Sequence, residues 1–199
     1  MTIRASGGNL HWNYFLALEK DLEVISRYIE FTEQNLATYS IELAHLLFAA
    51  ASEVDVVAKL LCEKVAPEAP RNNIDQYRHV LLSAMPDLPR REVLVERYGL
   101  SFCPWDNWAE GANPLWWRSY NNVKHERGAY FHEATLKNTL NALGALLIFI
   151  YSYHTHTLMH GAHGPVPQLD LDRTLRPGPS LMRLRGDPVY EHIRRASGA

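Results

Sequence analysis

From His11 to about Phe31 the apolar residues Phe15, Leu18, Leu22, Ile25 and Ile29 recur at spacings of three and four, which predicts an amphipathic helix. A longer stripe of Leu43, Leu46, Leu47, Ala50, Val54, Val57 and Leu61 predicts a second helix from near Tyr39 to about Val65, stopped before Pro67 and Pro70. Its Ala49, Ala50 and Ala51 permit close packing and suggest a central position. Ile74, Tyr77, Val80, Leu81 and Met85 repeat the helical period over a shorter span, ended by Pro86 and Pro89.

The stretch EVLVERYGLSFCPW at 92–105 changes character: Val93, Val95 and Arg97 alternate roughly before Gly99, predicting a small hairpin or extended excursion. Asn113-Pro114 then opens a helix through WWRSYNNVKHER, with Gly128 expected to end it. Leu136, Leu140, Leu143, Leu147 and Ile150 mark a final long helix over about 133–158. Beyond His160 the chain is rich in proline and glycine and has no sustained periodicity, so it reads as an extended, non-helical arm. The expectation is an all-α antiparallel bundle over residues 1–160 and a C-terminal arm over 161–199. Leu169, Leu171, Leu181 and Leu184 suggest that the arm docks on its own body or on a second subunit.

Composition narrows the function classes. A chain of 199 residues with 47% hydrophobic and 21% charged residues can bury one sizeable core. The formal charge of −2 offers no global attraction to nucleic acid, so any such contact needs a local patch. Cys62 and Cys103 have neither CxxC spacing nor the density of a disulfide scaffold, which points to a reducing, cytoplasmic compartment. The N-terminal MTIRASGGNL lacks an apolar signal core, and LGALLIFIY at 143–151 is too short to cross a bilayer.

The candidate chemistry lies in WWRSYNNVKHER. Seven helical steps separate Arg118 from His125, which places them within about 20° of each other around the axis and roughly 10.5 Å apart along it. Asn121 and Asn122 fall beside them, whereas Trp116, Tyr120 and Val123 point the opposite way. A solvated polar face is the ordinary explanation. Adjacent asparagines are poor helix formers, however, and Arg with His suits work at a phosphate: a planar cation for its oxygens and an imidazole that transfers protons near neutral pH.

Glu53 stands out in the central helix because it projects with Leu46, Ala50, Val57 and Leu60. A carboxylate there either reaches water at the edge of the stripe or needs a partner, for which Arg118 is a candidate; Asp55, on the far side, reads as exposed. His154, His156 and His160 form a local cluster whose i, i+4 pair has zinc-chelating spacing, but no third ligand is evident and a fraying polar helix end explains it as well. Trp105, Trp108, Trp116 and Trp117 either stack bases or seal a core or interface. There is no G-x-S-x-G motif or Gly-rich phosphate loop.

An arginine and a histidine bracketing SYNNVK on the penultimate helix, after two long helices of which the second carries SEVD, resemble the HEPN superfamily over about residues 10–160. The resemblance implies a helical bundle, commonly a homodimer, and in many members a metal-independent endoribonuclease needing no cofactor. In that scheme His125 handles protons and Arg118 stabilises the phosphate, giving a 2′,3′-cyclic phosphate and a 5′-OH. Asn121, Asn122 and Lys124 would contact the RNA substrate, with Glu53 in support. It also implies a role in defence or a toxin–antitoxin pair, with a cognate antitoxin or regulatory partner. Other members are non-catalytic ligand-binding or assembly proteins, which is the alternative expectation.

Overall fold

The computed structural model describes residues 9–159, 171 and 174–186. Helix α1 spans Leu10–Ile25 and buries Trp12, Phe15, Leu18, Leu22 and Ile25. It stops short of the expected Phe31: the chain turns at Ser26, whose hydroxyl donates to the Glu23 carbonyl at 2.7 Å. Phe31 nevertheless enters the core. Helix α2, Ile41–Val65, is capped by Ser40, whose side chain accepts from the Leu43 N–H at 3.1 Å. Helix α3, Ile74–Ala84, is capped by Asn73 in the same manner. These caps satisfy donors that the first helical turn leaves unpaired.

Strands β1, Val93–Val95, and β2, Leu100–Phe102, form the expected hairpin, with Val93 opposite Phe102 and Val95 opposite Leu100. Gly99 supports the reversal in the left-handed region, at φ 65°. Helix α4 spans Leu115–His125 behind Pro114. It ends before Gly128, because Glu126 leaves helical geometry at φ −135° and ψ 51°. A short α5 follows at Arg127–Tyr130, and the last helix, α6, runs over Leu136–Met159.

Helices α2 and α6 form the centre of the bundle, with α1 and α4 packed against both and α3 against α2. Nearly the whole α6 run from Ala142 to Ile150 is buried. Gly144 lets the hairpin approach α6 closely: a Cβ there would meet the Phe102 ring at 2.7 Å and Val93 at 3.2 Å. Among the described residues no helix is long and apolar enough to cross a membrane.

The all-α expectation needs correction. The fold is predominantly helical but contains a three-stranded antiparallel sheet ordered β2-β1-β3. Strand β3, Arg183–Leu184, belongs to the arm, with Leu184 opposite Val93 and Arg183 opposite Leu94. Periodicity could not reveal a two-residue strand whose partner lies about 90 positions away. The arm docks on its own body: Leu171, Leu175, Leu181 and Met182 are buried. Leu169 and His160 lie outside the described residues.

Candidate functional site

The aromatic side of α4 anchors it. Trp116 is buried, donates its indole N–H to the Pro104 carbonyl at 2.8 Å and meets Trp105 edge-on. Trp105 stacks on Phe149 of α6 with centroids 4.3 Å apart. Tyr120 packs edge-on against Phe48 of α2, and Val123 is buried. Trp105, Trp108 and Trp116 therefore seal the core and are not exposed as stacking platforms, while Trp117 is half-buried.

The opposite side presents Arg118 and His125 to solvent. Neither side chain has a hydrogen-bond or ion-pair partner among the described residues. The asparagines beside them are engaged. Asn121 donates to the Trp117 carbonyl of its own helix at 2.9 Å, and Asn122 donates to Glu133 Oε2 at 3.1 Å. Asn138 donates to the Glu133 carbonyl at 2.8 Å, fixing that segment to the start of α6. Lys124 leans back over Tyr120, 5.3 Å from the ring centroid, and Arg127 lies 5.3 Å over Phe48. The four candidate residues on α4 and Lys124 thus share one region, but as an exposed helix face instead of an enclosed cleft. An open cleft of about 360 Å³ lies elsewhere, lined by Asp75, Arg78, His79 and Trp108 among others.

Glu53 does not join them. Its Oε1 lies 2.5 Å from Nδ1 of His11, both side chains being largely covered, so α1 and not α4 supplies the partner. The helical pattern located the unusual carboxylate but could not say which neighbouring helix would answer it. Asp55 likewise has more than water around it: it accepts from the Tyr77 hydroxyl at 2.8 Å and pairs with Lys59. Burial pushes the Cys62 thiol up to about 12, against a nucleophilic thiolate.

Burial, followed by the charges of His11 and Lys64, holds His154 below the ordinary imidazole value. Among the described residues, which do not include His160, no group of three His, Cys, Asp or Glu side chains could hold a metal ion.

Sequence reasoning missed Glu19. It is 1% exposed and accepts from the backbone N–H groups of Ser180, Leu181 and Met182 and from the Ser180 hydroxyl, at 2.7 to 3.2 Å. The signal was present, since Glu19 falls between Leu18 and Leu22 on the apolar stripe of α1. Its partners lie more than 160 positions away. No family model, curated protein or solved structure matches this chain.

Proposed function

We propose that the chain is a HEPN-like, metal-independent endoribonuclease, acting as a homodimer in a defence or toxin–antitoxin setting. The observation that carries this reading is the availability of Arg118 and His125: exposed, on one side of a helix whose other side is locked into the core. Their spacing of roughly 10.5 Å along the axis suits two groups working on a substrate that spans both, or paired with those of a second subunit. His125 moves the proton between the 2′-OH and the leaving 5′ oxygen, and Arg118 stabilises charge on the phosphate. Lys124 adds local positive charge. With their amide donors engaged within the protein, Asn121 and Asn122 help shape the face, and their carboxamide oxygens do not supply the cationic contact that Arg118 does.

The test is cleavage of RNA in excess chelator, with analysis of the product ends. Cyclic phosphate ends that disappear in both Arg118→Ala and His125→Ala support the reading; undiminished cleavage in those variants sinks it. The engagement of both asparagines favours a second reading, in which the same face docks a ligand or assembly partner without chemistry. That reading predicts binding that depends on Arg118 and no cleavage in any partner state.

A further inference from the structure

The seam between the first turn of α1, the middle and end of α2 and the last turns of α6 gathers titratable groups that α4 does not use. His11 Nδ1 lies 2.5 Å from Glu53 Oε1, and the His11 ring meets Tyr153 edge-on at 6.4 Å. Lys64 Nζ sits 4.6 Å over the same Tyr153 ring. His154, half-buried, stands edge-on to Tyr153 at 5.4 Å. Among the described residues, the groups that face His154 are therefore His11 from α1 and Lys64 from α2, around Tyr153 of α6 itself; Glu53 of α2 answers His11.

This arrangement is electrically unbalanced. Lys64 brings a cation to the seam and Glu53 a carboxylate, which lies beside His11. A proton on His154 adds a cation beside Lys64 and His11 while the Glu53 carboxylate is turned to His11, in a seam where partial burial weakens solvent screening.

The same first turn of α1 holds the arm. Asn9 donates to the Thr174 carbonyl, and Trp12 donates its indole N–H to the Pro177 carbonyl at 3.0 Å. Trp12 also rests edge-on against Tyr151 of α6, at 5.8 Å. His11 lies between these two anchors in the sequence, so a shift of this turn away from α6 strains both.

We propose that this seam is an acid-operated latch: protonation of His154 beside His11 and Lys64 pushes the first turn of α1 from α6 and releases the Thr174–Pro177 stretch of the arm. The Glu19 clasp and β3 hold the following segment, so the helical body stays folded while the Thr174–Pro177 stretch lets go.

The direction in pH follows from His154, whose folded value lies below its ordinary 6.5. Its contribution to the closed state is complete above that ordinary value and is lost as pH falls through the lower, folded one.

The experiment is limited proteolysis of the full chain by a nonspecific protease at about pH 7.5 and 5.5, with cleavage at residues 174–177 normalised to an unstructured peptide at each pH. The expected result is cleavage several-fold faster at the lower pH, because the open latch binds the His154 proton more tightly than the closed one. Helical circular dichroism should be retained. His154→Gln should reduce that ratio to about twofold or less; if this variant does not fold, Lys64→Met, which keeps an aliphatic chain over Tyr153, decides by a reduced ratio. Equal cleavage of the wild type at both pH values, or an undiminished ratio in the deciding folded variant, overturns the latch.

Discussion

Glu19 on α1 and Arg118 on α4 are both charged side chains on amphipathic helices, yet they occupy opposite situations. Glu19 is buried and accepts four hydrogen bonds from Ser180, Leu181 and Met182. Arg118 is exposed and has no partner among the described residues. A buried charge is tolerated only when its bonding capacity is filled, and a filled carboxylate has little left for chemistry. The difference teaches that the chemically suggestive residue type is a weaker guide to function than what surrounds it. Glu19 fastens the arm to the body, whereas Arg118 remains available to a molecule from outside.

The strongest way to break this comparison is Glu19→Ala. It strands three backbone N–H groups and should lower unfolding free energy by about 3 kcal/mol or more, measured by urea denaturation. A loss below about 1 kcal/mol would mean that the clasp contributes little. Arg118→Ala and His125→Ala should do the reverse. Each should leave stability within about 0.5 kcal/mol of wild type while reducing the proposed RNA cleavage roughly 100-fold or more. Comparable losses of stability would place these residues with Glu19 as structural elements.

Asn122→Ala sharpens the middle ground. Losing its bond to Glu133 should cost about 1 kcal/mol in thermal or chemical denaturation, with the proposed RNA binding affected less than by Arg118→Ala. The smallest effect belongs to Arg185→Ala, an exposed position of the arm where water and salt screen the pair: a loss of thermal stability at neutral pH smaller than that of Asn122→Ala. The Arg185 guanidinium holds the Glu92 carboxyl below its ordinary 4.5. This contribution is present above 4.5 and is lost as pH falls through the lower folded value, so wild type and variant should converge in acid. Persistence of the difference at low pH would assign it to packing.

Much of the helical order was legible because local periodicity carries it. The stripe through Leu43, Leu47, Val54 and Leu61 needs only a repeat of about 3.6 residues to be recognised, and Pro67 and Pro70 show why it cannot continue. The two sides of α4 were legible for the same reason, with Trp116, Tyr120 and Val123 buried opposite Arg118 and His125. The end of α1 was misplaced because Ile29 keeps the period after Ser26 has already turned the chain.

The partners of the unusual charges were illegible. Glu53 chose His11, Glu19 chose the backbone at Ser180 to Met182, and Val93 chose Leu184 as well as Phe102. By itself, the sequence determined which residues would seek a core, where most helices would run and which face of α4 would carry its polar groups. Only the tertiary structure decided which distant groups would meet, because a buried charge or an open strand edge states a need for a partner, while the packing of the whole chain selects the one within hydrogen-bonding reach.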